Sequence, residues 1–297
     1  MSTAPRARFY VGPSGWSYDD WAGIVYPARR PRGFRPLSHI ARLFNAVEVN
    51  SSFYRTPTPR TTAGWVEQTP AEFRFTFKLH QAFTHARTAF PEPAEVEAVL
   101  AALRPVKEAG RLGPLLIQFP WSLRHGAAAV EWLKRLAETF AEVPRVVEVR
   151  HRSWATDEAR AALRLVGGCC NIDQPALRDC LGPSADVFGE VAYARLHGRN
   201  AANWFAENIP GYERYNYLYS DRELAEWAER LRAMAQEARE VYVFANNHYK
   251  GQGVANALEL REMLGAPRVE VPAELRAAYP RLGAISAPPR QAGLFGE

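Results

Sequence analysis

Short runs of β-branched and aromatic residues recur along the whole chain, each closing on polar positions and most of them followed by a segment of helical period. Eight such runs can be read, at Phe9–Gly12, Val47–Asn50, Phe73–Lys78, Leu115–Phe119, Val146–Arg150, Cys169–Asp173, Val191–His197 and Val241–Asn246. The clearest helical segments are Ala127–Phe140, Asp157–Leu165, Asp221–Arg239 and Val254–Leu264, with Leu and Ala at i, i+3 and i+4 and Asp221 placed as an N-cap ahead of Glu223. This alternation is the pattern of repeated βα units around a parallel sheet. Eight units in 297 residues fit one closed (β/α)8 barrel of the TIM type over residues 1–283. The rival is an open doubly wound sheet, but Gly12-Pro13-Ser14-Gly15-Trp16 after the first run lacks G-x-G-x-x-G. Residues 284–297 carry Pro288-Pro289 and no period, and read as an irregular tail.

Composition narrows the class without naming it. With 47% hydrophobic and 23% charged residues the chain is globular, and a net charge of +5 excludes a supercharged tail protein. Cys169, Cys170 and Cys180 are odd in number and two are adjacent, which suits neither a disulfide framework nor a zinc finger. A reduced, cytoplasmic setting is expected. No run approaches ~20 apolar residues and no signal pattern opens the chain, so no membrane partner is expected. A sequence pI of about 9.2 permits an acidic substrate or nucleic acid without requiring either.

In a parallel barrel the strand C-termini share one rim, where chemistry sits, and residues two apart share a face. The polar residues at those ends are Glu48 and Asn50, Lys78, Gln118, Glu148 and Arg150, Asp173, Arg195 and His197, and Asn246. Six histidines, His80, His85, His125, His151, His197 and His248, fall just after strands; only His39 lies on an expected helix. Carboxylates and cations gathered at one rim either satisfy one another or share the site with water, a metal or an ionic ligand. Two loops add to this. Asn247 to Gly253 feeds a helix N-terminus through two glycines, a place where barrels bind phosphate, or else a plain turn and cap. Gly198 to Ser220 holds Trp204, Phe205, Tyr212, Tyr215, Tyr217 and Tyr219, which either stack a base or sugar or pack as a small core over the mouth. Trp16, Tyr54 and Trp154, each following a strand end, are expected to wall the same pocket.

Several blocks carry a resemblance. Ser14-Gly15-Trp16-x-Tyr18-x-x-Trp21-x-Gly23, Glu48-Val49-Asn50-Ser51-Ser52-Phe53-Tyr54-Arg55, Phe75-x-Phe77-Lys78, Gln118-Phe119-Pro120, Glu148-Val149-Arg150-His151-x-Ser153-Trp154, Arg195-x-His197-Gly198 and Asn246-Asn247 resemble the YecE-like family of unknown function over roughly residues 9 to 264. The resemblance implies a TIM-type barrel and, at fold level only, a likeness to metal-dependent apurinic-site endonucleases. Lys78, Arg150 and Arg195 among the carboxylates argue against a three-zinc cluster and leave room for a single divalent ion.

The first functional expectation is therefore an enzyme acting on a phosphate-containing substrate, a phosphodiester in nucleic acid being the leading case, with a link to DNA repair. Glu48 or Glu148 would be the general base, His197 the acid or a ligand, and Lys78, Arg150 and Arg195 would neutralise phosphoryl charge. Trp16, Asn50, Tyr54, Arg55, Gln118, His151, Asp173, Asn246 and Asn247 would hold the substrate. The alternatives are a non-catalytic phosphate or nucleic-acid binding module and an isomerase or lyase of a phosphosugar. Near the C-terminal end, Gln291-Ala292-Gly293-Leu294-Phe295 resembles the peptide by which bacterial repair and replication proteins dock on the DNA sliding clamp, Gln291 filling a polar pocket and Leu294 and Phe295 an apolar one. Chance occurrence and a latch onto the barrel are its two alternatives.

Overall fold

The computed structural model describes residues 7–288. All eight expected strands are present, at β1 (Arg8–Pro13), β2 (Ala46–Val49), β3 (Arg74–Lys78), β4 (Leu112–Gln118), β5 (Arg145–Glu148), β6 (Cys170–Asp173), β7 (Val191–Leu196) and β8 (Glu240–Ala245). They form two four-stranded parallel sheets, ordered β2-β3-β4-β5 and β1-β8-β7-β6. Between the sheets the ladder shrinks to one bridge at each seam, Ser14 with Glu48 and Val147 with Cys169. The continuous eight-stranded ladder that the sequence suggested is thus resolved into two half-sheets.

At the β1–β2 seam a side chain replaces the ladder. Asn45 donates from Nδ2 to the Phe9 carbonyl at 2.8 Å and accepts the Val11 N–H on Oδ1 at 2.9 Å. The backbones come close because position 12 is glycine: a Cβ there would run into the carbonyl oxygen of Ala46.

Helices α1 (Pro36–Leu43), α2 (Pro59–Glu67), α3 (Gln81–Thr84), α4 (Pro93–Glu108), α5 (Ala127–Thr139), α6 (Asp157–Leu165), α7 (Asp221–Glu237), α8 (Gln252–Met263) and α9 (Ala273–Ala278) complete the described elements. Helices α1, α2 and α4 each open on a proline, whose fixed φ and missing N–H suit a first turn. The cap of α7 is Ser220 rather than Asp221, with the Ser220 and Glu223 side chains each bonding the other's N–H. No helix follows β6. From Gln174 to Glu190 the chain returns to β7 as loop, fixed by Asn171, whose Oδ1 accepts from Asp186 N at 2.7 Å and whose Nδ2 donates to Asp186 O at 2.9 Å. The βα repeat is therefore incomplete among the described residues. None of the described helices is long and apolar enough to cross a membrane.

Inward-facing Tyr10, Leu116, Val146, Ile172, Tyr193, Tyr242 and Phe244 pack between the two sheets, and larger apolar layers join the outer strand faces to the helices. Of the expected tail, Ala287 N–H bonds the Val269 carbonyl at 2.9 Å and Ser286 Oγ accepts from Val271 N at 3.1 Å, so residues up to 287 are tied to the fold. Gln291, Leu294 and Phe295 lie outside the described residues.

The seam gives a direct test. Asn45→Ala leaves a buried carbonyl and N–H of β1 without partners and is expected to cost about 2–4 kcal/mol. Asn45→Asp keeps the acceptor and loses the donor, and should fall between Ala and wild type in urea-unfolding midpoint.

Candidate functional site

Above the apolar layer the inward-facing positions turn polar. Ser14 follows β1 at the parity of Tyr10 and Gly12, Glu48 that of Ala46, Lys78 that of Thr76, Gln118 that of Leu116, and Glu148 that of Val146. On β7 and β8 the same step leads from Tyr193 to Arg195 and His197 and from Phe244 to Asn246.

Arg195 occupies the centre, 1% exposed. It donates from Nη2 to Glu48 Oε1 at 2.6 Å and from Nη1 to Glu148 Oε2 at 2.7 Å. Glu48 also accepts from Ser14 Oγ at 2.5 Å and from the Tyr193 hydroxyl at 2.8 Å. Glu148 Oε1 takes Arg150 Nε at 2.7 Å and His197 Nε2 at 3.1 Å. Burial alone would raise the Glu148 carboxyl, but Arg195, Arg150 and His197 together hold it well below the usual carboxylate range. Asn246 Nδ2 lies 3.0 Å from His197 Nδ1. A neutral imidazole with its hydrogen on Nε2 satisfies the Glu148 and Asn246 contacts, while Arg150 Nη2 stands 3.4 Å from the same Nε2. Burial, reinforced by Arg150, lowers the His197 pKa to about 3, in keeping with that form.

Lys78 differs from these. It is 9% exposed, its ammonium lies 3.6 Å from the centre of the Phe53 ring, and no carboxylate among the described residues comes within 4.0 Å. Burial, with Arg195 and Arg150 adding like charge against the weaker pull of Glu148 and Glu48, lowers it to about 7. His85 stands edge-on to Phe53 at 4.8 Å between ring centres; burial and then Lys78 lower it to about 4. Nη1 of Arg150 meets no protein acceptor among the described residues, and its guanidinium carbon lies 5.9 Å from the Trp204 ring. Tyr215 completes this wall, 6.4 Å from the His197 ring and 6.2 Å from Trp204.

Six predicted residues, Glu48, Lys78, Glu148, Arg150, Arg195 and His197, thus converge, with Asn246 behind them. Others do not join. Asp173 sits at the opposite parity from inward-facing Ile172 and pairs instead with Arg199 Nε at 2.9 Å, beside α7. His151 accepts from Ser153 N at 3.1 Å and caps the short turn 152–155. Asn247 ties the Tyr217 carbonyl, at 2.8 Å, to Asn256 of α8, at 2.9 Å. Gln118 is buried and turns its amide onto the Phe119 carbonyl. Asn50 is set beside the Tyr18 phenol, Trp16 packs edge-on against Trp65, and Tyr54 and Arg55 are exposed. Trp154 is buried in the apolar layer outside the strands, bonded to the Leu123 carbonyl. Ser14 and Tyr193, missed as site residues, were legible as the members of β1 and β7 that share the inward parity.

In the loop expected to bind phosphate, two N–H groups are already engaged. The Lys250 N–H donates to the Asp20 carboxylate at 2.5 Å and the Gly251 N–H to the His248 carbonyl at 3.0 Å. Nor do the residues fit a metal. All four carboxylate oxygens of Glu48 and Glu148 accept from Arg, Ser, Tyr or His, and no group of three or more His, Cys, Asp or Glu side chains among the described residues is placed to hold a metal ion.

Comparison with known proteins places this arrangement. A family model described as "Protein of unknown function DUF72" matches residues 10–280. A DUF72 family protein of Thermotoga maritima superposes with a TM-score of 0.77 at 35% identity, over 86% of this chain and 99% of that one. One from Enterococcus faecalis gives 0.77 at 25% identity, over 88% and 96%. The Bacillus subtilis UPF0759 protein YunF is 27% identical over 272 residues, 86% of this chain and 94% of its own. With the match running from β1 to the last described helical turn, the chain belongs to the DUF72 family of proteins of unknown function.

Proposed function

We propose that the two half-sheets close into one (β/α)8-type barrel whose mouth is an enzyme site for a small phosphate-bearing anion. One observation carries the reading: the buried cluster holds one cation more than its carboxylates can pair, and the surplus lies on the open side, where Lys78 lacks a counter-ion and Arg150 a partner for Nη1. A substrate phosphate supplies the missing charge, gripped by the bare edge of Arg150. Trp204 and Tyr215 flank it. Both carboxylates are tied by hydrogen bonds and so orient the cations; the proton-transfer part passes to Lys78, which changes charge near neutrality.

A phosphodiester and a phosphosugar both belong to this class. The nucleic-acid version, with its link to DNA repair, draws on the tail residues Gln291, Leu294 and Phe295 as a sliding-clamp peptide. The binding-module reading differs from the enzyme in needing only the cations.

Calorimetric titration with inorganic phosphate and with a nucleoside monophosphate should give saturable binding, weakened at least about tenfold, ~1.4 kcal/mol, in Arg150→Gln. Absence of heat with both anions refutes the site. Sulfate, which does not titrate in this range, should bind more weakly as pH rises through about 7, because the charged form of Lys78 is lost. Glu48, Glu148, Arg150, Arg195 and His85 also face Lys78, and His85, lowered to about 4, does not change charge across this range. In the ligand-free protein the depressed Lys78 pKa makes stability rise from pH 7 towards 10.5, where the folded state binds fewer protons than the unfolded. Lys78→Met should flatten that slope in urea midpoints. Separately, surface-resonance titration against the sliding clamp of the same source should show binding that Leu294→Ala with Phe295→Ala abolishes; no binding by the intact chain ends that version.

A further inference from the structure

The chain carries 33 arginines and four lysines. Lys107 and Lys134 are about half exposed beside glutamates, and Lys250 is exposed on a loop. Cations that are buried and paired are arginines: Arg195 between two glutamates and Arg150 on Glu148, with Arg199, partly buried, on Asp173. Partly buried Arg111, Arg145 and Arg261 lean on backbone carbonyls, and at the one fully buried cation position without a carboxylate partner among the described residues the chain has lysine instead. That choice has a chemical meaning, because a guanidinium stays charged in proteins while an ammonium can release its proton and leave a nucleophilic amine. The surroundings favour that release: burial, an aromatic face in place of a counter-ion, and the like charges of Arg150 and Arg195.

We propose that Lys78 is an imine-forming lysine, its Nζ condensing with the carbonyl carbon of a small phosphorylated aldehyde or ketone whose phosphate rests on Arg150. This deepens the anion-site reading above and depends on it for the phosphate. In the step, the amine lone pair forms a C–N bond, the carbonyl π pair moves to oxygen, and a proton passes from nitrogen to that oxygen to give a carbinolamine. A proton from solvent then lets the C–O bond break; water leaves, and the remaining nitrogen pair closes the C=N bond of a cationic imine. The products are water and the iminium, with no change of oxidation state. Such an iminium draws electrons from the neighbouring carbon, as isomerisation or carbon–carbon cleavage of a phosphosugar requires.

The test uses the full chain at pH 7 with dihydroxyacetone phosphate, glyceraldehyde 3-phosphate and the uncharged glycolaldehyde, each followed by cyanoborohydride and peptide mass mapping. With four lysines every candidate site is read in one digest. The expected result is a reduced adduct at Lys78 at least tenfold above Lys107, Lys134 and Lys250, formed half-maximally near pH 7 and slowed by inorganic phosphate. Lys78→Arg, checked for native circular dichroism, should lose it; the comparison among wild-type lysines stands even where that variant does not fold. An adduct at Lys78 from glycolaldehyde that phosphate leaves unchanged supports the imine and removes the anion reading. Phosphate binding without a preferred Lys78 adduct from any of the three carbonyls overturns the imine and leaves the anion site standing. Labelling spread evenly over the four lysines overturns it as well.

Discussion

The Arg195 guanidinium fixed between Glu48 and Glu148 is the constraint on which the arrangement turns. Glu48 lies on β2 and Glu148 on β5, the two outer strands of one half-sheet, while Arg195 comes from β7 in the middle of the other. The backbone ladder is reduced to a single bridge at each of those two edges. A side-chain cross-link therefore spans both places where the main chain bonds least. Burying three charges is costly unless each is met, and removing one partner of such a set typically costs ~3–5 kcal/mol. Here Ser14, Tyr193, Arg150 and His197 complete the hydrogen bonding of the carboxylates. Most of the polar layer serves to hold itself together.

That self-sufficiency throws the remaining groups into relief. A cluster whose members all pair has little chemistry to offer, and what pairing leaves over falls on two residues. Arg150 uses one edge for Glu148 and presents the other, and Lys78 leans on a ring instead of a carboxylate. Polar side chains of the rim thus divide between those paired within the cluster and those left with unpaired groups, a division invisible to residue type alone.

The strands and their inward polar ends could be read directly, because alternation on a pleated strand ties each polar residue to the apolar one two positions earlier. Asp173 departs from the expected convergence because Ile172 is the inward residue of β6. Ser14 and Tyr193 were passed over because one stands just past a strand and the other looks like core. His151 and Asn247 are polar for a local reason, the unmet N–H and C=O groups of turns, which depend on loop geometry that the sequence does not display. The loop in place of a helix after β6 escaped notice because the fixing residue, Asn171, sits inside an apolar run.

The pairing of β1 has a consequence for how the molecule is made. Its register sets Arg8 opposite Glu240, so its full ladder is with β8, while towards β2 it has one bridge and the side chain of Asn45. During vectorial synthesis β2 to β5 can assemble as each emerges, since every strand meets its neighbour after one or two helices. β1 must wait, one edge unsatisfied, until ~230 further residues have left the ribosome. Unpaired strand edges invite pairing with other chains, so the nascent polypeptide is most exposed to misassociation late in translation, and completion of β8 is the event that ends that exposure.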